Sequence, residues 1–221
     1  MQNKLTIDSL TLAFSNQIQL QADLTMPINP QGIIIFAHGS GSSRLSPRNQ
    51  YVAEVLNQSE FATLLVDLLT PTEERIDRFT HELRFNISLL AKRLELVADW
   101  IAQHPTLKTL KLGYFGASTG AAAALIAAAN QPDLISAIVS RGGRPDLAGD
   151  YLKRVQAPTL LIVGGNDSMV MDLNKQALNE LSAIKKLEVI ASASHLFEEP
   201  GTLEQVAMLA VAWYKRFMGG S

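Results

Sequence analysis

The stretch KLGYFGASTGAAAALIAAAN, residues 111–130, decides how this chain is read. Leu110, Leu112, Tyr114 and Phe115 read as a short buried strand. Ala121 to Ala129 reads as a helix, because alanine is the best helix former. Between them lies Gly116-Ala117-Ser118-Thr119-Gly120, a G-x-S-x-G pentapeptide. That pattern puts a serine at the apex of a sharp strand-to-helix turn. The flanking glycines remove the Cβ atoms that would collide as strand and helix close up. The bland alternative is an ordinary turn with Ser118 as a helix N-cap. The rest of the chain decides between the two, because a serine nucleophile needs a base and an acid.

Toward the N-terminus, residues 4–14 and 17–26 read as two strands around a turn at Ser15-Asn16-Gln17. Ile18, Leu20, Ala22, Leu24 and Met26 alternate with polar residues, the period of a strand with one wet face at a sheet edge. Gly32 to Ala37 is a continuous apolar run, expected of a strand buried on both faces. It leads into His38-Gly39-Ser40-Gly41-Ser42-Ser43. Pro47 to Gln58 reads as a helix with Ser46 as N-cap. Phe61 to Leu69 reads as a strand, Thr70 to Thr80 as a polar surface excursion, and Leu83 to Gln103 as a long helix ended by His104-Pro105.

Toward the C-terminus, Leu134 to Ser140 is an apolar strand leading to Arg141-Gly142-Gly143-Arg144-Pro145. A short helix is expected near Asp146 to Val155. Thr159 to Val163 is a strand ending in Gly164-Gly165-Asn166-Asp167, followed by a helix over Leu173 to Ile184. Leu187 to Ala191 is the last strand, ending in Ser192-Ala193-Ser194-His195, and Thr202 to Met218 is the closing helix. A hairpin followed by βα units gives an α/β, doubly wound, mostly parallel sheet. Residues 1–221 are expected to form a single domain, since no linker or repeat interrupts them. The short Ser140 to Thr159 segment predicts no large cap domain and a shallow, open pocket.

Composition narrows the function classes. At 221 residues the chain suffices for one sizeable core. A formal net charge of −2 argues against a general nucleic-acid footprint. The absence of cysteine excludes disulfides, thiolate metal sites and a cysteine nucleophile. Nothing approaches the ~18 apolar residues of a membrane helix, and MQNKLTIDSL lacks a secretory pattern, so a cytoplasmic location without membrane partner is expected.

In such sheets the site lies outside the carboxyl ends of the strands, where His38, Ser118, Asp167 and His195 all fall. Of four histidines, His104 reads as a helix end and His81 as solvated. His38 opens the glycine loop, which leaves His195 as the base. The acid is expected between Ser118 and His195, given the chain order Ser, Asp or Glu, His. Asp167 fits best, while Asp172 and Asp146 read as helix caps. The oxyanion of a tetrahedral intermediate needs backbone N–H donors. These are expected from Thr119 and from the loop at Gly39 and Ser40. That loop has neither GxxxxGK[ST] nor G-x-G-x-x-G, so no nucleotide, other cofactor or metal is expected.

HGSGSS at 38–43, GYFGASTG at 113–120, GGND at 164–167 and the His195 turn resemble the α/β-hydrolases, and within them the small dienelactone-hydrolase-like proteins. SRGGRPDLAG at 140–149 is similar to a segment of proteins some of which are fused to a phosphoribosyltransferase domain; none is read here. The resemblance implies eight strands, the second antiparallel, and a Ser–Asp–His triad. Dienelactone hydrolases proper use a cysteine nucleophile where this chain has Ser118, which makes acyl-ester hydrolysis the safer expectation than a lactone alone. A serine hydrolase of a small ester, lactone or thioester is therefore expected, with a small acyl substrate as partner. Acyl transfer or peptide hydrolysis with the same triad, and a non-catalytic binding module, are the rivals. Finally, Arg44, Arg48, Arg141 and Arg144 leave the same sheet edge as Ser118 and are candidates to bind an anionic group on the substrate. Their alternative is pairing with Asp67, Glu73, Asp77 or Asp146.

Overall fold

The structure, a computed structural model, describes residues 5–15 and 17–219. Its strands are β1 (Thr6–Ser15), β2 (Ile18–Met26), β3 (Ile33–Ala37), β4 (Ala62–Val66), β5 (Leu112–Ala117), β6 (Ile135–Arg141), β7 (Thr159–Gly164) and β8 (Lys185–Ile190). They form one sheet in the order β1-β2-β4-β3-β5-β6-β7-β8. β2 runs antiparallel to both β1 and β4, and the pairs from β4 through β8 are parallel. The antiparallel second strand and the edge hairpin match expectation; Asn16 in its turn lies outside the described residues.

The helices are α1 (Pro47–Gln58), α2 (Pro71–Thr80), α3 (Ile87–Gln103), α4 (Thr119–Asn130), α5 (Ser168–Glu180) and α6 (Thr202–Met218). The central strands are apolar without alternation because both faces are covered. Ile33, Ile35 and Ala37 face a core shared with α3 and α4, whereas Ile34 and Phe36 face a second core with α1 and α6. The order in which strands are added reverses at β3, which lies between β4 and β5. The loops after β3 and β5 therefore diverge at a switch point, the place where such sheets open a crevice. α4 starts so close to β3 that a Cβ on Gly120 would sit 2.2 Å from the Ala37 carbonyl oxygen, so only glycine fits. Between β6 and β7 only a three-ten segment, Pro145–Arg154, intervenes, kinked at Gly149. No cap domain stands over the sheet edge among the described residues.

Three expectations need correction. The excursion at Thr70 to Thr80 is helix α2. The Thr70 side chain accepts from the Glu73 N–H at 3.2 Å while the Glu73 carboxylate accepts from the Thr70 N–H at 2.7 Å. This reciprocal box starts a helix in spite of its polar composition. The helix expected from Leu83 begins at Ile87 instead, because Asn86 caps it by accepting from the Leu89 N–H at 3.0 Å. Leu83–Phe85 is a separate three-ten turn. α5 begins at Ser168, several residues before expectation, so Asp172 lies inside it as an exposed side chain paired with Lys175 and caps nothing.

Candidate active site

Ser118 sits between β5 and α4 with φ 50° and ψ −122°, a region unfavourable to any residue with a Cβ. Its side chain makes no capping hydrogen bond to α4, so the N-cap alternative does not describe it. Its backbone is held instead by the loop after β6. The Ser118 N–H donates to the Arg141 carbonyl at 3.3 Å, and its carbonyl accepts from the Arg144 N–H at 3.0 Å and the Ala121 N–H at 3.1 Å. The SRGGR segment thus wraps the serine.

The same loop reaches the last turn of the sheet. A Cβ on Gly142 would lie 3.1 Å from the His195 carbonyl oxygen and 3.6 Å from His195 Cε1. His195 Nδ1 is 2.6 Å from Asp167 Oδ2. An ionised carboxylate only accepts, so Nδ1 carries the proton of this bond and Nε2 is left as an acceptor. Asp167 occupies the N-cap position of α5 yet makes no capping bond, because its carboxylate is turned to the histidine. The two loops are stapled together. The Asn166 N–H donates to the Ala193 carbonyl at 3.0 Å and Asn166 Nδ2 to the Ser192 carbonyl at 3.1 Å. Glu199 fixes the histidine turn by accepting from the Ser194 N–H at 3.0 Å. That hydrogen bond holds the Glu199 carboxyl below the usual carboxylate range. Sequence reasoning missed Glu199; its only signal is its place four residues after His195.

The glycine loop packs directly on the serine: a Cβ on Gly39 would come within 3.0 Å of Ser118 Cβ. The Ser40 N–H, expected as an oxyanion donor, donates to Thr119 Oγ1 at 2.9 Å. The structure therefore brings Gly39, Ser40 and Thr119 together beside Ser118, with the Ser40 amide held by the Thr119 hydroxyl. His38 plays no part at the mouth of the site. Its Nδ1 lies 3.0 Å from the Gly39 carbonyl and its Nε2 accepts from the Leu68 N–H at 3.2 Å, which fixes a neutral ring. Burial lowers its pKa, against the opposing pull of the Gly39 carbonyl.

The four candidate arginines separate sharply. Arg44 bridges Asp23 at 3.0 Å and Asp67 at 2.6 Å. Arg144 forms a two-bond fork with Asp146, both bonds at 2.8 Å, which raises its pKa. Asp146 is therefore an arginine partner, not a helix cap. Arg48 meets the exposed Glu198 at 3.1 Å. Arg141 is buried, and its side chain has no hydrogen-bonding or ionic partner among the described residues. A cleft of about 670 Å³ lies beside the glycine loop, lined by His38, Ser42, Arg44 and Asp67 among others, but by none of Ser118, Asp167 or His195. No described group of acidic, histidine or cysteine side chains could hold a metal ion. No described helix is long and apolar enough to cross a membrane.

The chain is similar to several known proteins. A protein of Mycobacterium tuberculosis described as "Putative phosphoribosyl transferase" is 57% identical over 197 residues, 89% of this chain. The chain spans only 44% of that relative's length. A dienelactone hydrolase from Anabaena variabilis is 54% identical, with a TM-score of 0.93 over 96% of this chain and 99% of that one. Est1E from Butyrivibrio proteoclasticus shares the fold at 18% identity, with a TM-score of 0.78 over 94% and 98% of the two chains. The family model described as "PETase: PET hydrolase-like" matches residues 59–221. By that match, and by its likeness along nearly all of the Anabaena enzyme, the chain belongs to the PET hydrolase-like family of α/β-hydrolases and is dienelactone-hydrolase-like.

Proposed function

We propose that the protein is a serine hydrolase that cleaves a small ester, lactone or thioester through an acyl-enzyme on Ser118. One observation carries the reading. A serine is kept in a costly conformation at the switch point of the sheet, and its hydroxyl is not used to cap the helix that follows. Such outliers cost about 1–3 kcal/mol and persist where the surroundings over-determine them. A mere turn has no need of one.

In this mechanism the Ser118 hydroxyl attacks the acyl carbon as His195 Nε2 takes its proton. Asp167 holds the ring in the required tautomer and stabilises the imidazolium. The oxyanion is met by the Thr119 N–H at the start of α4 and by the glycine loop, where the Ser40 N–H is shared between the Thr119 hydroxyl, which positions it, and the substrate oxygen. His195 then protonates the leaving group, and water repeats the sequence to release the acid. Exposed Leu45 and Leu196 stand on loops, Leu147 in the three-ten segment and Met169 in the first turn of α5, all after strands that end at this same sheet edge, which suits an apolar body on the substrate. The proposed cytoplasmic location is checked by cell fractionation.

The test is labelling with a fluorophosphonate together with turnover of para-nitrophenyl acyl esters. Label should enter the wild type and be lost in Ser118→Ala. Ser118→Ala or His195→Ala should lower kcat by roughly four to six orders of magnitude, and Asp167→Asn by about four. Wild-type esterase activity in Ser118→Ala would overturn the reading.

A further inference from the structure

The glycine loop is gripped from two sides, and the mechanism above uses only one of them. On the side of Ser118, the Ser40 N–H donates to the Thr119 hydroxyl at 2.9 Å. On the far side stands Arg84, in the three-ten turn Leu83–Phe85. Gly39 to Ser42 form a four-residue turn, closed by the Ser42 N–H donating to the Gly39 carbonyl at 3.1 Å. Gly41 takes the third position with φ 71°, the value a type II turn asks of glycine. Ser40 takes the second, so the amide offered to the oxyanion belongs to the turn itself. A Cβ on Gly41 would lie 3.6 Å from Arg84 Nη1, an ordinary contact distance, so the guanidinium rests against the turn.

Arg84 is in turn held by α2. Asp77 Oδ1 accepts from the Leu83 N–H at 2.7 Å and the Arg84 N–H at 3.1 Å. Asp77 Oδ2 accepts from Arg84 Nε at 2.5 Å, and Arg84 Nη2 donates to the Asp77 carbonyl at 3.0 Å. These bonds engage Nε and Nη2 and leave Nη1 toward Gly41. Asp77 is the one residue of α2 that is buried, while Ile76 and Phe79 are exposed. Apolar burial therefore does not place this helix, and a buried carboxylate is costly unless it is paired and hydrogen-bonded. Burial alone would raise the Asp77 pKa; the Arg84 side chain and the Arg84 and Leu83 N–H groups outweigh it and hold the carboxyl below its usual range.

We propose that Arg84, anchored by Asp77, is a positioning residue for the oxyanion donor: its guanidinium props the Gly39–Ser42 turn against Ser118 and Thr119 and so fixes the Ser40 N–H. This role rests on the serine-hydrolase reading above and deepens it. Between turn and prop lies a cavity of about 20 Å³, lined by His38, Ser40, Gly41, Asp77, Arg84 and Leu90 among others. Removing the guanidinium enlarges it, and the turn loses the contacts that keep it from sinking away from Ser118. The donor is then displaced, not deleted, and the loss falls on the step in which charge develops on the substrate oxygen.

The experiment compares wild type, Arg84→Gln and Arg84→Lys on para-nitrophenyl acetate and butyrate. Arg84→Gln should lower kcat by about ten- to thirtyfold with KM within about twofold, short of the 10²–10³ of a deleted oxyanion donor. A trifluoromethyl ketone, which forms a tetrahedral adduct on Ser118, should lose affinity by the same factor as kcat/KM. In Arg84→Lys the ammonium can meet the Asp77 carboxylate but has no second arm for Gly41. Its melting temperature should return toward wild type while kcat stays low, whereas a merely structural pair would restore both together. Unchanged kcat in Arg84→Gln, a change in KM alone, adduct affinity that does not follow kcat/KM, or full kcat in Arg84→Lys would each overturn the proposal. Should Arg84→Gln not fold, the kcat and adduct affinity of Arg84→Lys decide alone. A last arm needs no turnover: in Ser118→Ala protein, exchange of the Ser42 N–H should be about tenfold faster with Arg84→Lys than without it, and that of Leu125 in α4 unchanged. Equal exchange at Ser42 overturns the prop whatever the esterase result. Faster exchange in a protein whose wild type cleaves no ester upholds the prop and overturns the hydrolase reading alone.

Discussion

Holding Ser118 at φ 50° and ψ −122° works against a side chain's own preferences, and the backbone bonds from Arg141, Arg144 and Ala121 supply the constraint. Glycine relaxes such a position, so Ser118→Gly should melt above Ser118→Ala by an amount equivalent to about 1 kcal/mol, a comparison made on two inactive proteins. Equal melting temperatures would mean that the position is unstrained. Thr119 has a separate task. Its hydroxyl ties the Ser40 amide to the elbow at 2.9 Å. Thr119→Val keeps the shape and removes the tie; kcat should fall by about tenfold with KM little changed, less than the 10²–10³ of a lost oxyanion donor. Thr119→Ser should restore it. The residues named from the sequence came from a pattern with mechanics, G-x-S-x-G, and from chain order. The Thr119–Ser40 bond could not be read that way, because it joins side chain to backbone across 79 positions.

At the scale of elements, legibility followed the strength of local signals. α1 and α6 begin and end where apolar periodicity and Ser46-Pro47 put them. α2 is hidden by its polar composition, although Thr70-Pro71-Thr72-Glu73 spells a helix start. The start of α5 is obscured because Asp167 looks like the end of a loop. It is both the N-cap residue of the helix and the partner of His195, and only the second role uses its carboxylate. In α6 the buried Tyr214 makes a tie that no local pattern shows: its hydroxyl donates to the Tyr114 carbonyl at 2.7 Å, a partner one hundred residues away. The turn that carries His195 depends on Glu199 accepting from the Ser194 N–H. Glu199→Ala should loosen it and lower kcat several-fold, while Glu199→Gln, which keeps an acceptor, should retain most activity; the readout is the kcat ratio of the two variants.

For the whole molecule, acid stability should be governed in part by His38. Its ring is held neutral between the Gly39 carbonyl and the Leu68 N–H, and burial lowers its pKa in the folded state. The unfolded chain then takes up the proton first, near its ordinary ~6.5. Stability due to this histidine is full above that value and is lost as pH falls through it toward the folded pKa. His38→Asn should flatten the fall of melting temperature between about pH 7.5 and 5.5, and an unchanged slope would assign the fall to other groups. The order of the sheet has another outcome, in the time domain. The ribosome makes the glycine loop first, then Ser118, Asp167 and His195, and α6 after them. Until α6 exists, the second core lacks Val206, Ala210, Trp213 and Tyr214, and β5 lacks the Tyr214 bond beneath the serine. Chains halted at Pro200 should take up no fluorophosphonate, whereas chains reaching Met218 should. On the proposed mechanism, a nascent chain that stops short of α6 carries an idle Ser118, and reactivity arrives only once that helix is made.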